Sequence, residues 1–241
     1  MIPSKLVEAI RDAQHVCVVT GAGISAESGI PTFREAQQGL WEKHRPEDLA
    51  TPEAFSRDPD FVWQWYRWRR QLVSKVAPNA AHVAIASLAD TVKTLTLITQ
   101  NVDGLHQRAG SRDVIEFHGN LFVNRCFVEG VIVDVDDDIE TAPYCPACAA
   151  RVRPGVVWFG EGIPADAIQR SLAAAAGCDV FLAVGTSSQV YPAAGLAELA
   201  QDNGACAAEF NLEPTPLSSQ FDHCVIGKAG TTLPELVELV S

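Results

Sequence analysis

The chain has 241 residues, long enough for one good core or a large domain with a small insertion, and its 47% hydrophobic and 20% charged residues are ordinary for a soluble globular enzyme. A formal net charge of −12 argues against nonspecific binding to nucleic acid or anionic lipid. No apolar run approaches the ~18 residues that cross a bilayer, and the first residues carry no apolar signal core, so no membrane partner is expected and the expected location is the cytoplasm.

In chain order, residues 4–14 predict a helix capped by Ser4, with Leu6, Val7 and Ile10 as its apolar stripe. The run Val16-Cys17-Val18-Val19 predicts a buried parallel strand. Residues 35–78 hold no strong strand and read as a helical insertion, with Phe61, Trp65, Trp68 and Leu72 at i, i+4, i+7 and i+11. A helix over 80–90, a strand over 94–98 and a short strand over 114–117 follow. Residues 121–157 change character, with Cys126, an alternating strand-like run from Val131 to Val135, an acidic run, and Cys145-Pro-Ala-Cys148. A helix over 165–176, a strand over 180–184, a helix over 193–203, strands over 205–210 and 224–226, and a helix over 231–240 complete the chain.

Alternating strands and helices predict an α/β fold with a doubly wound parallel sheet. Insertions at about 32–78 and 121–157 would form a smaller lobe beside a larger one made of about 1–31, 79–120 and 158–241. Ligands in such sheets sit beyond the carboxyl ends of the strands, and each candidate motif follows a predicted strand. The seven cysteines, dispersed apart from Cys145 and Cys148, read as thiols with a candidate metal pair rather than a disulfide framework. Cys17, Cys178, Cys206 and Cys224 flank or occupy apolar runs and read as small core residues.

Gly21-Ala22-Gly23 ends the first strand. Such a turn presents backbone N–H groups to a phosphate, and a Cβ there would block a pyrophosphate. The next glycine is Gly29 rather than one three residues on, which argues for a dinucleotide held differently from the way a dehydrogenase holds it. Gln100-Asn101-Val102-Asp103 sets three polar groups at a strand end, which suits ribose and amide recognition and equally suits turn chemistry.

The segment Gly21 to Arg34 resembles the first signature of the sirtuins, the NAD-dependent protein deacylases. Thr99 to His106, Glu116 to Asn120 and Val184 to Ser188 resemble three further sirtuin segments in the same order, and the likeness spans roughly residues 15–230. The resemblance implies a Rossmann-like sheet, a smaller lobe with helical and zinc-ribbon-like insertions, and NAD as a co-substrate. It assigns Gly21, Ala22, Gly23, Ile24, Thr32, Phe33, Arg34 and Trp41 to NAD binding. Asp103 would hold the nicotinamide carboxamide, Gln100 and Asn101 would face the nicotinamide ribose, and Val102 stands where the family often has Ile. Gly185, Thr186, Ser187, Asn211, Leu212, Glu213 and Ala229 would complete the pocket for phosphates, adenosine ribose and adenine. Among His15, His44, His82, His106, His118 and His223, the resemblance makes His118 the general base, with Asn101 beside it. An imidazole of ordinary pKa, about 6.5, suits proton removal from a sugar hydroxyl near neutral pH.

By the same resemblance, Val157, Trp158 and Phe159 would pair through their backbone with an extended acyl-lysine peptide or protein segment. The implied reaction starts with attack of the acyl oxygen on the anomeric carbon of the nicotinamide ribose. It yields nicotinamide, O-acyl-ADP-ribose and free lysine. Tyr66 and Arg69, at i and i+3 on the Trp-rich helix, match the Tyr-x-x-Arg signature of class III sirtuins, which implies recognition of the carboxylate of a succinyl, malonyl or glutaryl lysine. The plain alternative is a helix with Phe61, Trp65, Trp68 and Leu72 in the core and Arg67, Arg69 and Arg70 solvated. The family's structural zinc takes two Cys-x-x-Cys pairs; here Cys145 and Cys148 form one, and Cys126 with Glu129 stands for the other. Either zinc is held by three cysteines with Glu129 as fourth ligand, or the segment folds without metal. Competing readings are a mono-ADP-ribosyltransferase, an NAD- or ADP-ribose-sensing module, and, least favoured by the glycine spacing, a hydride-transferring dehydrogenase.

Overall fold

The structure, a computed structural model, describes residues 1–30 and 48–241. In chain order its elements are α1 (Ser4–Asp12), β1 (Val16–Thr20), α2 (Ala22–Ala26), α3 (Pro52–Arg57), α4 (Pro59–Ser74), α5 (Ala80–Thr91), β2 (Leu95–Thr99), α6 (Leu105–Arg108), β3 (Ile115–Glu116), β4 (Gly119–Cys126), β5 (Val152–Val156), α7 (Ala165–Gly177), β6 (Val180–Val184), α8 (Gly195–Asp202), β7 (Cys206–Asn211), β8 (His223–Ile226) and α9 (Ala229–Val240). Among the described residues the main sheet is wholly parallel, in the order β3-β2-β1-β6-β7-β8. This is the doubly wound arrangement that the alternation of strands and helices predicts.

Strand pleating explains why the sheet needs helices on both faces. Val16, Val18, Leu182 and Val184 point into one core, closed by Leu6 and Ile10 of α1, Ile85 and Leu88 of α5, and Leu233 and Leu236 of α9. Cys17, Val19, Phe181 and Ala183 point into the other, closed by Ala174 and Ala175 of α7 and Leu196 and Ala200 of α8. A third core joins Phe55 of α3 with Trp63 and Trp65 of α4, Leu121 of β4, and Val156 and Trp158. Strands β4 and β5 form a separate antiparallel pair, and a small apolar cluster of Cys126, Val133, Cys145 and Val152 lies beside it.

Four local expectations change. Helix α1 begins on Pro3, whose carbonyl accepts from Leu6 and Val7, and no side chain caps it, so Ser4 is not its cap. The alternating run after Gly130 is no strand. Val133 donates to the Asn124 carbonyl (2.9 Å) and Ile132 makes an isolated bridge to Arg125, while the regular partner of β4 is β5. On α4 the buried face is Val62, Trp63, Trp65, Tyr66, Arg70 and Val73, with Leu72 exposed, one position round from the expected stripe. Cys17 and Cys178 are core residues as expected, Cys206 is half-buried, and Cys224 is exposed.

Candidate active site

The strand order reverses between β1 and β6, and the loops leaving these two strands interlock. Gly21 donates to the Val184 carbonyl (3.0 Å), Gly23 to the Gly185 carbonyl (2.8 Å), and Ile24 to the Gly21 carbonyl (3.2 Å). A Cβ at Gly21 would lie 2.8 Å from the Gly185 oxygen, and one at Gly23 would lie 2.8 Å from Gly185 Cα. Gly185 has a φ of +58°, and a Cβ there would lie 2.3 Å from the Ile24 nitrogen. Loop-to-loop packing therefore demands these glycines before any phosphate is considered. Of the N–H groups at 21–24, the exposed Ala22 alone has no partner among the described residues. The expectation that Gly21 and Gly23 offer their N–H groups to a phosphate is corrected to that extent.

The end of β2 lies beside these loops. Gln100 donates its N–H to the Thr20 carbonyl (2.9 Å) and its side-chain NH2 to Thr186 Oγ1 (3.0 Å). Asn101 donates to the Gly21 carbonyl (3.1 Å) and to Ser25 Oγ (3.0 Å), and the Ser25 hydroxyl donates to Asp103 Oδ2 (2.8 Å). Asp103 is buried, and its other oxygen accepts the Leu105 N–H (2.9 Å). Val102 is half-buried against the α3–α4 core. Behind Asp103 the buried rings of His82 and His106 lie 4.8 Å apart. His82 Nε2 is 3.4 Å from Ser25 Oγ, and His106 Nε2 is 2.9 Å from Thr20 Oγ1. Burial pushes His82 down to about 4, against the pull of Asp103, and His106 down to about 3, so both are neutral at pH 7.

His118 stands at the start of the small sheet. Its Nδ1 is 2.9 Å from the Gln100 carbonyl, which only accepts, so Nδ1 carries the proton and Nε2 keeps its lone pair. Burial lowers the His118 pKa, opposed by that carbonyl, and the ring is a neutral base at pH 7. The His118 backbone carbonyl accepts the Val157 N–H (2.8 Å). Trp158 donates its N–H to Glu161 Oε2 (2.8 Å), and Phe159 donates to the Ala50 carbonyl (2.9 Å). The N–H groups of these three residues, expected to pair with a peptide through their backbone, are thus bonded internally, and the Val157 carbonyl is an acceptor with no partner among the described residues. Phe159 is exposed, and Trp158 is buried under the Arg153 guanidinium, 3.3 Å from its ring.

Tyr66 is joined to this segment: Trp158 Nε1 donates to its hydroxyl oxygen (2.8 Å). Burial pushes the Tyr66 hydroxyl up to about 12, so it keeps a proton to donate. Half-buried Arg69 lies over the Trp65 ring (5.1 Å), and burial lowers its pKa while Tyr66 and Asp103 oppose the shift. Arg70, which the plain helix alternative puts in solvent, is buried. It donates to the Leu121 carbonyl (2.7 Å), Asp137 Oδ1 (3.0 Å) and Asn124 Oδ1 (2.7 Å), because the acidic run after Val135 folds onto α4.

On the far side of the cleft, Asn211 donates to the Thr186 carbonyl (2.9 Å) and to Glu209 Oε1 (2.8 Å). Glu209 is fully buried and also accepts from the Thr215 (2.7 Å) and Ser218 hydroxyls, fixing the loop after β7. Ser187, Leu212 and Glu213 are exposed at this rim, and Ala229 is buried at the start of α9. Thr32, Phe33, Arg34, Trp41 and His44 lie outside the described residues.

Away from the cleft, the sulfurs of Cys126, Cys145 and Cys148 lie within 4.8 Å of one another, and Cys126 and Cys148 are 3.4 Å apart. Zinc–thiolate bonds of ~2.3 Å set tetrahedral sulfurs about 3.8 Å apart, so this donor set fits zinc. The Glu129 N–H donates to Cys126 Sγ (3.3 Å) and, ahead of opposing burial, lowers that thiol's pKa toward the thiolate a metal needs.

The pattern of the Sir2 family matches residues 21–192. The chain belongs to the Sir2 family. A protein of Ralstonia nicotianae named NAD-dependent protein deacylase is 54% identical over 233 residues, covering 95% of this chain and 93% of its own. A solved Sir2 homolog in complex with NAD superposes with a TM-score of 0.93 at 44% identity, over 100% of this chain and 94% of that one. A Sir2 protein bound to a myristoylated histone peptide superposes with a TM-score of 0.79 at 37% identity, over 98% of this chain and 94% of that one.

A Sir2 dinucleotide fits this cleft on the chain's own terms. The switch point between β1 and β6 gathers Gln100, Asn101, Thr186 and Asn211 at one rim. Sequence reasoning missed Ser25, His82, His106 and Glu209. Ser25 sits inside the first motif, four residues past Gly21, and was legible as a hydroxyl next to a strand end. Glu209 lies inside an apolar strand, where a lone carboxylate is itself a signal.

Proposed function

We propose that this chain is an NAD-dependent protein deacylase that acts on acyl-lysine and favours acyl groups ending in a carboxylate, such as succinyl, malonyl and glutaryl, over acetyl. Sir2 membership and a close relative named NAD-dependent protein deacylase support the deacylation. NAD, when bound, supplies the ADP-ribosyl group that accepts the acyl and the nicotinamide that departs. His118 has the tautomer of a base: the Gln100 carbonyl holds Nδ1–H and leaves Nε2 to take a proton from a ribose hydroxyl. Ser25 and Asn101 fix the carboxylate of Asp103, which would hold the carboxamide of nicotinamide. The Val157 carbonyl is suited to accept the substrate's amide N–H.

The acyl preference rests on one observation. The Tyr66 hydroxyl accepts from Trp158 and so still offers its proton, with Arg69 three residues further along the same helix and within the field of Asp103. A carboxylate between a hydroxyl donor and a guanidinium is stabilised by charge-assisted bonds worth ~2–3 kcal/mol. The test is kcat/KM with NAD for succinyl-, acetyl- and unmodified peptides, read by mass spectrometry. A roughly 30- to 150-fold preference for succinyl is expected, at ~1.4 kcal/mol per decade. Equal values for the two acyl groups would return Tyr66 and Arg69 to a structural role.

A further inference from the structure

The two turns that carry the cysteines are built alike. In one, Cys126 donates its N–H to the Val131 carbonyl (2.9 Å) and Gly130 donates back to the Cys126 carbonyl (3.0 Å). In the other, Cys145 donates to the Ala150 carbonyl (2.7 Å) and Ala149 donates back to the Cys145 carbonyl (2.9 Å). Gly130 and Ala149 share the left-handed backbone, with φ of 67° and 58°. By this bonding Glu129 occupies the station that Cys148 holds in the second turn. Cys148 brings its sulfur to within 3.4 Å of Cys126 Sγ. Glu129 reaches Cys126 with its backbone N–H alone; its side chain is exposed and stands outside the sulfur cluster. The reason is reach. A cysteine sulfur is two bonds from Cα, whereas glutamate oxygens are four, so from the same station they overshoot the place a thiolate would fill.

We propose that Cys126, Cys145 and Cys148 form a three-thiolate site for a zinc-class divalent metal whose fourth position is open to an external ligand. That ligand is water, exchanged reversibly for a small thiol. Structural zinc sites close with four protein ligands, whereas a site with three keeps its Lewis acidity directed at solvent. In the exchange, the incoming thiol releases its proton to solvent, its thiolate bonds the metal, and the bound water leaves. Cys148 is exposed, so the position lies on an accessible face of the hairpin.

Cobalt(II) reads this coordination sphere through its ligand-field and thiolate charge-transfer bands, independently of catalysis. The full-length protein, stripped by a chelator and loaded with cobalt, should give bands of a three-sulfur tetrahedral site. These should intensify and shift on titration with 2-mercaptoethanol and revert on its removal. Glu129→Cys should show four-sulfur bands without added thiol, ignore the titration, and bind zinc more than ~10-fold tighter. Glu129→Ala should match the wild type in both spectrum and thiol response. A wild-type spectrum indifferent to thiol, or bands that change in Glu129→Ala, would show the fourth position filled by the chain and overturn the proposal. Failure of cobalt to bind a correctly folded wild type would overturn it as well.

Discussion

The cleft beyond β1, β2 and β6 and the hairpin of β4 and β5 hold their polar side chains in different ways. In the cleft, Gln100, Asn101 and Asn211 sit at strand ends, and their hydrogen bonds tie the loops of different strands together: Asn101 to Gly21 and Asn211 to Thr186 between neighbouring strands, and Gln100 to Thr186 across the end of β1. The large core fixes the strand ends, and the strand ends fix the chemistry. Leu121 and Val156 tie one end of β4 and β5 to the third core, but at the cysteine end the apolar cluster among the described residues is Cys126, Val133, Cys145 and Val152, with Val135 and Ala150 against it. Order there depends on the buried arginines Arg70 and Arg153 and on the three thiols. A large core lets function be carried by short contiguous motifs; a small one makes structure depend on charged residues distant in sequence.

Damage to the cleft should therefore change rates, and damage to the β4–β5 pair should change stability. The largest effect is expected for His118→Ala, with turnover falling by ~10²- to 10⁴-fold, the range for loss of a general base, and little change in melting temperature. Near-normal turnover in that variant would remove His118 from the reaction. Arg70→Ala takes the guanidinium from Asn124 Oδ1 and the Leu121 carbonyl, leaves Asp137 with the Asn124 amide donor but no cation, and should cost about 3 kcal/mol in chemical denaturation. A loss below about 1 kcal/mol would mean that the hairpin does not depend on this arginine. Arg69→Met should lose most desuccinylation, by roughly 30- to 150-fold, while sparing deacetylation. Arg69→Lys should rescue only part of the loss, because an ammonium lacks the planar fork.

The smallest effect concerns acid. His82 and His106 fold as neutral rings, with pKa values lowered by burial to about 4 and about 3, so below pH ~6.5 the unfolded chain binds protons that the native chain excludes. Their contribution to stability is complete above that pH and declines as pH falls toward the folded values. At pH 5.5 the cost is up to about 1.4 kcal/mol per histidine, one pH unit below the unfolded value. His106→Gln should reduce the loss between pH 7.5 and 5.5 by up to about 1.4 kcal/mol; an unchanged pH profile would assign the acid sensitivity elsewhere.

The parallel sheet and the strand-end motifs were legible because buried strands appear as short apolar runs and the residues after them share one rim. Strands β4 and β5 were not. Pro154 and Gly155 interrupt β5, which a two-stranded pair tolerates because its strands are edges, and β4 changes register between Asn120 and Asn124. The alternation from Val131 to Val135 carries a strand pattern without a ladder to join. The role of Arg70 was hidden because its partners lie about fifty to seventy residues away, in β4 and in an acidic run that looks solvated on its own. Glu129 was visible as a departure from the cysteine pattern, but only the paired turns reveal which station it occupies.

The His118 residue bonds in two directions at once. Its ring is fastened to the Gln100 carbonyl at the end of β2, and its backbone oxygen holds the Val157 N–H at the start of the segment proposed to pair with the peptide. Residues 157–159 are therefore one end of a short lever with the base as its fulcrum. On the proposed roles, a substrate that seats poorly along residues 157–159 would strain the same amino acid that accepts the proton. Misfit should then appear as a slower step as well as a weaker grip, giving the enzyme a check on its substrate that is read through the backbone.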